Sequence, residues 1–260
     1  GVVLWRGGAA GTLVGGQPFS PRVRLLGDLG HDAARQRATQ RLEAFVAAEA
    51  SRRLAGLRRL EAAVAEGTVK GLARGLAYRL IEAGGVLDRA AVRADAKELS
   101  QVERRTLRGL GVRLGAFSIF MPGLFKRQAR ALVQALAWRE ASGWRPPVDG
   151  PSPLPAAAPS PRTLAAFGLR AVRSLAVPVE QLERLDELLR AGVRQSGGVI
   201  LADQALDELG WTPAQAAEIL RGLGFAPTNK AKDHQPIVWR RRVLHDAKPE
   251  ARKPIAPHSP

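Results

Sequence analysis

The sequence predicts a mainly α-helical chain with small β elements, and three observations lead to this fold class. Apolar residues recur at steps of three and four over long stretches, as they do on one face of a helix. Short β-prone runs lie between Gly and Pro residues near both ends of the chain. A Pro-rich segment divides the 260 residues, which are enough for two ordinary domains.

The first predicted unit is a helical domain preceded by a short sheet. Residues 1–30 form a small β region with three β-prone runs, and residues 31–143 form the helical domain. Ser100 and Glu103 match a capping box, and Gly84-Gly85 matches a helix C-cap. Gly71 and Gly75 lie four apart on one helix, which predicts that another helix packs closely there. The predicted helices span residues 32–66, 69–83, 89–99, 101–109 and 122–140.

The second predicted unit is a winged-helix-like domain. Residues 144–161 are rich in proline and predict a semi-rigid, exposed linker, residues 162–243 form the domain, and residues 244–260 form a disordered tail. Inside the domain the expected order is helix, strand, two helices and a hairpin, which is the order of a winged helix-turn-helix. Gly210 closes the first of the paired helices, and Thr212 with Pro213 begins the second.

Positive charge is the strongest compositional signal. The net charge is +16, distributed as +12 over residues 1–144, −1 over 145–227 and +5 over 228–260. Two basic segments that flank a neutral one favour binding to a polyanion such as nucleic acid. The alternative is a solvated basic surface that reflects only an arginine-rich composition.

Several function classes find no support in the sequence. The chain has no Cys, four scattered His and no apolar run near the ~20 residues of a membrane span, so we expect no metal site and no membrane partner. No phosphate-binding loop, nucleophile elbow or zinc-protease motif is present, and we expect neither catalysis nor a bound cofactor in this chain. A start without Met or a signal peptide suggests a piece of a longer cytoplasmic protein, or one processed at its N terminus.

Two groups of cations are candidates for nucleic-acid contacts. The first surrounds a Gly-rich turn, and the second lies on the predicted wing, whose neighbouring helix offers only Gln215, Glu218 and Arg221 for base contacts. Phe117 and Phe120 lie within the first group; core packing is the favoured interpretation, and base stacking is the alternative. The candidate cations are Arg104, Arg105, Arg108, Arg113, Lys126, Arg127 and Arg130 in the first group, and Lys230, Lys232, Arg240, Arg241 and Arg242 in the second.

The motifs WRG, PRVRLL, GLARGLAYRLIEAGGVLDR and LRGLGVRLGAFSIFMPGLFK occur in this order between Val2 and Arg242. Together they resemble the C-terminal region of bacterial DExH-box helicases of the suppressor-of-Var type, relatives of the mitochondrial degradosome RNA helicase. The most specific part runs from Leu107 to Lys126. The resemblance implies an accessory region that helps to close the nucleic-acid channel, with ATP and Mg²⁺ bound by motor lobes that are absent from this chain.

The sequence therefore favours a helicase accessory module that holds single-stranded RNA or DNA through its phosphates, and that works with the motor lobes of the same parent protein. Two alternatives stay open. One is a DNA-binding regulator that uses the winged unit, and the other is a protein-interaction scaffold in which the positive charge is incidental.

Overall fold

The structure is a computed structural model that describes residues 1–17, 19–27, 30–137, 144, 146, 150–228 and 237–242. Within these residues helices predominate and the strands form small antiparallel sheets, as the sequence predicted. The predicted tail at 244–260 and most of 138–149 lie outside the described residues.

The N-terminal strands form a three-stranded sheet in the order β1-β2-β3, which confirms the predicted small β region. They are β1 (Val2–Trp5), β2 (Gly8–Gln17) and β3 (Ser20–Leu25). One face of the sheet is apolar and packs on Leu42 and Val46 of the following helix. The sheet therefore covers the start of the helical unit.

The long helix predicted over residues 32–66 is two helices. The first, α1 (Asp32–Arg53), ends at Leu54, whose φ of −107° and ψ of 32° are not helical. The second, α2 (Ala55–Ala65), follows at once. Leu54 and the apolar stripe of α2 are buried in the main core, so tertiary packing breaks a helix that local periodicity alone would continue.

The next helix, α3 (Gly71–Glu82), ends as predicted at the paired glycines. Both adopt positive φ, and the N–H groups of Gly84 and Gly85 donate to the carbonyls of Ile81 and Leu80 at 3.0 and 2.8 Å. The predicted close approach of another helix is present at Gly71, where a Cβ would lie 2.6 Å from Glu103 Oε1 of the helix Gln101–Gly109. At Gly75 the prediction was wrong, because a Cβ there would meet nothing within 4 Å.

The rest of the helical unit consists of short elements. A three-stranded sheet in the order β4-β6-β5 lies among them. The helices predicted over 89–99 and 122–140 each begin with a 3₁₀ turn, at Ala90–Val92 and Pro122–Phe125. The elements are β4 (Val86–Asp88), α4 (Arg93–Glu98), α5 (Gln101–Gly109), β5 (Arg113–Leu114), β6 (Ser118–Phe120) and α6 (Arg127–Ala137).

The C-terminal unit contains two further sheets, ordered β7-β9-β8 and β10-β11-β13-β12. Its predicted helix, strand, two helices and hairpin are present in that order. The first helix, predicted over 179–195, ends at Ala191, and a short strand at Arg194–Gln195 occupies its predicted end. The strands β8 and β9 that precede this helix were not predicted. The elements are β7 (Ser152–Pro153), α7 (Pro161–Ala166), β8 (Leu169–Val172), β9 (Leu175–Pro178), α8 (Val179–Ala191), β10 (Arg194–Gln195), β11 (Gly198–Ile200), α9 (Asp203–Leu209), α10 (Pro213–Gly222), β12 (Phe225–Pro227) and β13 (Val238–Arg241).

Part of the segment predicted as an exposed linker belongs to this unit. Ser152 is buried and pairs with Ala176 of β9, and the Leu154 N–H donates to the Ser174 carbonyl at 2.8 Å. The Gln215 side chain of α10 donates to the Pro151 carbonyl at 3.3 Å. Proline-rich composition predicted exposure, but the edge of a sheet accepts residues that lack an N–H.

A buried carboxylate joins the two units. Glu183 of α8 is 8% exposed and accepts the backbone N–H groups of Ala116, Phe117 and Ser118 at 2.6, 3.1 and 2.8 Å. A Cβ on Gly115 would overlap this carboxylate, so glycine is required there for the close approach. We call this contact between α8 and residues 115–118 the Glu183 junction.

Two arginines extend the contacts between the units. Arg170 of β8 donates to the carbonyl of Phe117 and pairs with Asp88 at 3.2 Å. Burial lowers the pKa of Arg170, and the charge of Asp88 partly offsets this effect. Arg130 of α6 donates to the Phe167 carbonyl. The helical and C-terminal units are thus held against each other by buried, charge-assisted hydrogen bonds.

Ser100 forms the predicted capping box with Glu103 at the start of α5. Ser100→Ala removes the side-chain acceptor of the Glu103 N–H, so we expect the free energy of unfolding to fall by about 1 kcal/mol. Chemical denaturation measures the change. Gln101→Ala on the same exposed turn is the control and should leave the value nearly unchanged; an equal loss in both variants would contradict the role of the cap.

Glu103 predicts a pH dependence. Hydrogen bonds from Ser100 and from the Ala73 N–H lower the pKa of its carboxyl group below the ordinary value of 4.5. Its stabilising contribution is therefore present above that value and is lost as the pH falls through the lowered pKa. Glu103→Gln keeps the cap geometry without the charge, so unfolding curves measured below pH 4.5 should be less pH-dependent in this variant than in the wild type.

The Glu183 junction predicts a large effect from one methyl group. Gly115 has no positive φ, so Gly115→Ala acts only through its overlap with Glu183, and we expect a loss of about 3 kcal/mol in unfolding free energy. Glu183→Ala should cost a similar amount because three N–H groups lose their acceptor. The control is Gly109→Ala, where a Cβ meets nothing within 4 Å and helix propensity predicts no loss. Thermal unfolding measures these changes, and an equal loss of stability in Gly109→Ala and Gly115→Ala would contradict this explanation.

Candidate nucleic-acid interface

A cleft of about 610 Å³ opens beside the Glu183 junction. Its walls come from both units: α4, α5 and the loop after β5 on one side, and α8 and β13 on the other. We call it the basic cleft because seven of its lining residues are cations. They are Arg89, Arg93, Lys97, Arg104, Arg190, Arg241 and Arg242.

The basic cleft carries a large excess of positive charge. Among the residues that the structure describes, its single acidic lining residue is Asp186, whose carboxylate pairs with Arg190 at 2.6 Å. Arg93, Lys97 and Arg242 are exposed, so their charges face solvent. A concave surface with this imbalance concentrates anions near it and favours a ligand with several negative groups.

Arg104 is held in the cleft wall by backbone carbonyls. Its guanidinium donates to the carbonyls of Leu99 at 3.0 Å, Ala96 at 2.9 Å and Lys97 at 3.0 Å, at the C-terminal end of α4. Carbonyl groups at a helix C-terminus carry partial negative charge and stabilise a cation there. These hydrogen bonds fix the position of the Arg104 guanidinium in the absence of a ligand.

Arg89 is the cleft cation whose pKa is shifted by burial. Its guanidinium donates to the Gly115 carbonyl. Burial lowers the pKa of Arg89, and the nearby charge of Arg104 lowers it further, while Glu183 opposes the effect. An anion bound in the cleft would relieve this repulsion, because it favours the charged form.

Arg241 connects the cleft to the aromatic core. Its guanidinium lies over the rings of Phe117 and Phe225, 6.0 and 5.9 Å from their centroids. Cation–π contacts of this kind orient the side chain while leaving its N–H groups able to contact anions. Arg241 and Arg242 therefore place the C-terminal strand of the hairpin in the cleft wall.

Three of the twelve cations predicted from the sequence, Arg104, Arg241 and Arg242, line the basic cleft. Arg105 and Arg108 are exposed on α5 outside its lining. Arg113 lies 3.9 Å from Glu187 and over the Phe120 ring at 5.9 Å.

The remaining predicted cations lie elsewhere. Lys126 and Arg127 are exposed at the start of α6, and Arg130 donates to the Phe167 carbonyl. The seven cations around the Gly-rich turn therefore do not line one groove. Arg240 is exposed on β13 and pairs with Ala226 through the backbone. Lys230 and Lys232 lie outside the described residues.

Four cleft cations were missed by sequence reasoning: Arg89, Arg93, Lys97 and Arg190. The i, i+4 spacing of Arg93 and Lys97 on α4 was a usable signal, since it places both on one face. Arg190 had no comparable signal, because only the Glu183 junction brings α8 beside α4.

The two phenylalanines that lie between the cations of the first predicted group are core residues, which was the interpretation favoured from the sequence. Phe117 is 5% and Phe120 2% exposed. Phe117 meets Phe225 edge-on with centroids 6.3 Å apart, and Phe120 stacks on Phe125 at 5.7 Å. Base stacking on either ring would require the core to open.

The polar residues of α10 are engaged within the protein. Gln215 completes the cap of Thr212, Glu218 accepts the Ser174 N–H at 3.1 Å, and Arg221 lies over the Trp239 ring at 5.8 Å. These contacts turn the side chains that would read bases in a recognition helix toward their own domain.

Within the described ranges no cluster of three His, Asp or Glu side chains is arranged to hold a metal ion, and none of the helices is both long and apolar enough to cross a membrane. In comparisons with known proteins, no family model matches the chain, and no curated protein or solved structure is significantly similar to it.

Proposed function

We propose that this chain is a nucleic-acid-binding accessory module that holds a single strand of RNA or DNA by its phosphates in the basic cleft. The observation that carries the proposal is the convergence of seven cations from separate elements on one concave surface. The described part of that surface has one carboxylate, Asp186, which is already paired with Arg190. Phosphate contacts from arginine and lysine position a strand without reading its sequence.

We further propose that the C-terminal unit is a winged helix. The order of α8, α9, α10 and the β12–β13 hairpin supports this assignment, with the hairpin as the wing. Arg241 and Arg242 lie on the wing strand and line the cleft, whereas the polar side chains of α10 have partners in their own domain. This arrangement favours backbone contacts by the wing over recognition of a duplex sequence.

The resemblance to suppressor-of-Var-type DExH-box helicases supplies the context. In that context the module belongs to the cytoplasmic parent helicase, its partner is the pair of motor lobes, and ATP and Mg²⁺ act there. This chain would contribute the grip on the strand, since its residues match none of the nucleotide-binding motifs.

The test is a triple charge reversal at Arg93, Lys97 and Arg242, which are exposed cleft residues outside the hydrogen bonds that hold the walls. We expect affinity for a single-stranded oligonucleotide to fall at least about tenfold at moderate salt. The slope of log affinity against log salt should become less steep by roughly 0.7 for each lost phosphate contact. Fluorescence anisotropy over a salt series measures both quantities.

The matched control reverses three exposed arginines that lie outside the cleft lining and away from the N-terminal sheet, Arg59, Arg74 and Arg194, and so changes the net charge equally. Its affinity should fall much less. Equal losses in the two variants would show that the charge acts diffusely, and unchanged binding in the cleft variant would favour the scaffold alternative. A strong preference for one duplex sequence would favour the DNA-binding regulator.

A further inference from the structure

The N-terminal sheet carries a second pocket, distant in sequence from the basic cleft. It has a volume of about 350 Å³ and lies between the sheet and α1, with Trp5 and Arg41 in its lining. The other lining residues are apolar or small, Ala9, Ala10, Ala38 and Leu42 among them. We call it the Trp5 pocket. Its size falls in the range of small-ligand sites.

The strand register explains why the Trp5 ring is accessible. Trp5 is the last residue of β1 and pairs with Gly8, which has no side chain to cover the indole. On the helix side, Ala38 leaves space that a larger residue would fill. Trp5 as a whole residue is 41% exposed, although Val3 on the same strand is buried in the core beneath the sheet.

The surroundings of the ring are cationic. The Arg41 guanidinium lies over the indole, 5.2 Å from the ring centroid. Arg37 is exposed one turn earlier on α1, and Arg6 is exposed directly after Trp5. No carboxylate belongs to the pocket lining within the described residues. The site thus combines a flat aromatic surface with positive charge, which suits a ligand that has both a π-face and a negative group.

We propose that the Trp5 pocket binds a nucleobase of the bound single strand, stacked on the indole, with Arg41 and its neighbours contacting the adjacent phosphate. This inference rests on the proposed function, and it adds a contact to a base to the phosphate contacts of the basic cleft. Every base has a π-face, so stacking on Trp5 tolerates any sequence. An apolar peptide segment would satisfy the pocket but would leave the surrounding arginines without a counter-charge.

The experiment compares two probes of equal length, ten-residue oligothymidylate and ten-residue abasic deoxyribose phosphate. The basic cleft needs only phosphates and should bind both, whereas the pocket needs a base. We expect the wild-type chain to bind oligothymidylate about fivefold or more tightly than the abasic probe at the same salt, the gain that one aromatic stack provides.

Trp5→Ala should reduce the ratio of the two affinities, oligothymidylate over abasic probe, to about one without changing affinity for the abasic probe. Trp5→Phe should retain much of this ratio. Ala38→Leu is the second variant, since it fills the pocket with a good helix former and leaves Trp5 in place; it should lose the ratio as well. Circular dichroism checks that each variant is folded.

The outcomes separate the two proposals. A ratio near one in the wild type, or a ratio that survives both Trp5→Ala and Ala38→Leu, would overturn the pocket assignment and leave the cleft intact. The same result is expected if the pocket receives a protein segment. Failure of the wild type to bind either probe would overturn both proposals.

Discussion

The carboxylate of Glu183 determines how the two units of the chain meet, because it accepts three consecutive backbone N–H groups from residues 116–118. A buried carboxylate is costly unless its oxygens are satisfied, and here the backbone supplies the donors. Gly115 permits the approach, and Phe117 from the same loop enters the apolar core of the C-terminal unit. Polar and apolar contacts therefore fix one relative position of the two units.

The basic cleft is a consequence of this junction. Arg89 and Arg104 belong to the helical unit, whereas Arg190 and Arg241 belong to the C-terminal unit, and only the docked arrangement brings them together. Burial lowers the pKa of Arg89, and repulsion from the like charge of Arg104 in the same cleft lowers it further. Such an arrangement stores electrostatic energy, and this is one reason for the proposal that the cleft binds a polyanion.

The cleft and the Trp5 pocket differ in the chemistry that each offers. The cleft presents guanidinium and ammonium groups, which match phosphate oxygens, and its nearest aromatic rings are buried. The Trp5 pocket presents an exposed ring with arginine beside it. On the proposed assignments, one surface holds the backbone and the other holds a base, and neither distinguishes one sequence from another.

Local chemistry in the sequence was enough to place many elements, because caps and glycine turns act over a few residues. The Ser100 capping box, the left-handed Gly210 and the Thr212 cap all lie where the sequence predicted them. The structure brings only some of the predicted cations together, since Arg104, Arg241 and Arg242 line the cleft but the other predicted cations that the structure describes do not.

What only the tertiary structure decided depends on contacts between residues far apart in the chain. The break at Leu54 follows from burial in a core that distant helices complete, and the strand at Ser152 exists because β9 offers it an edge. Arg190 and Arg93 line one cleft because Glu183 meets a loop 65 to 67 residues away in the chain. Periodicity and composition report the preferences of a segment, and they carry no information about which segment it will meet.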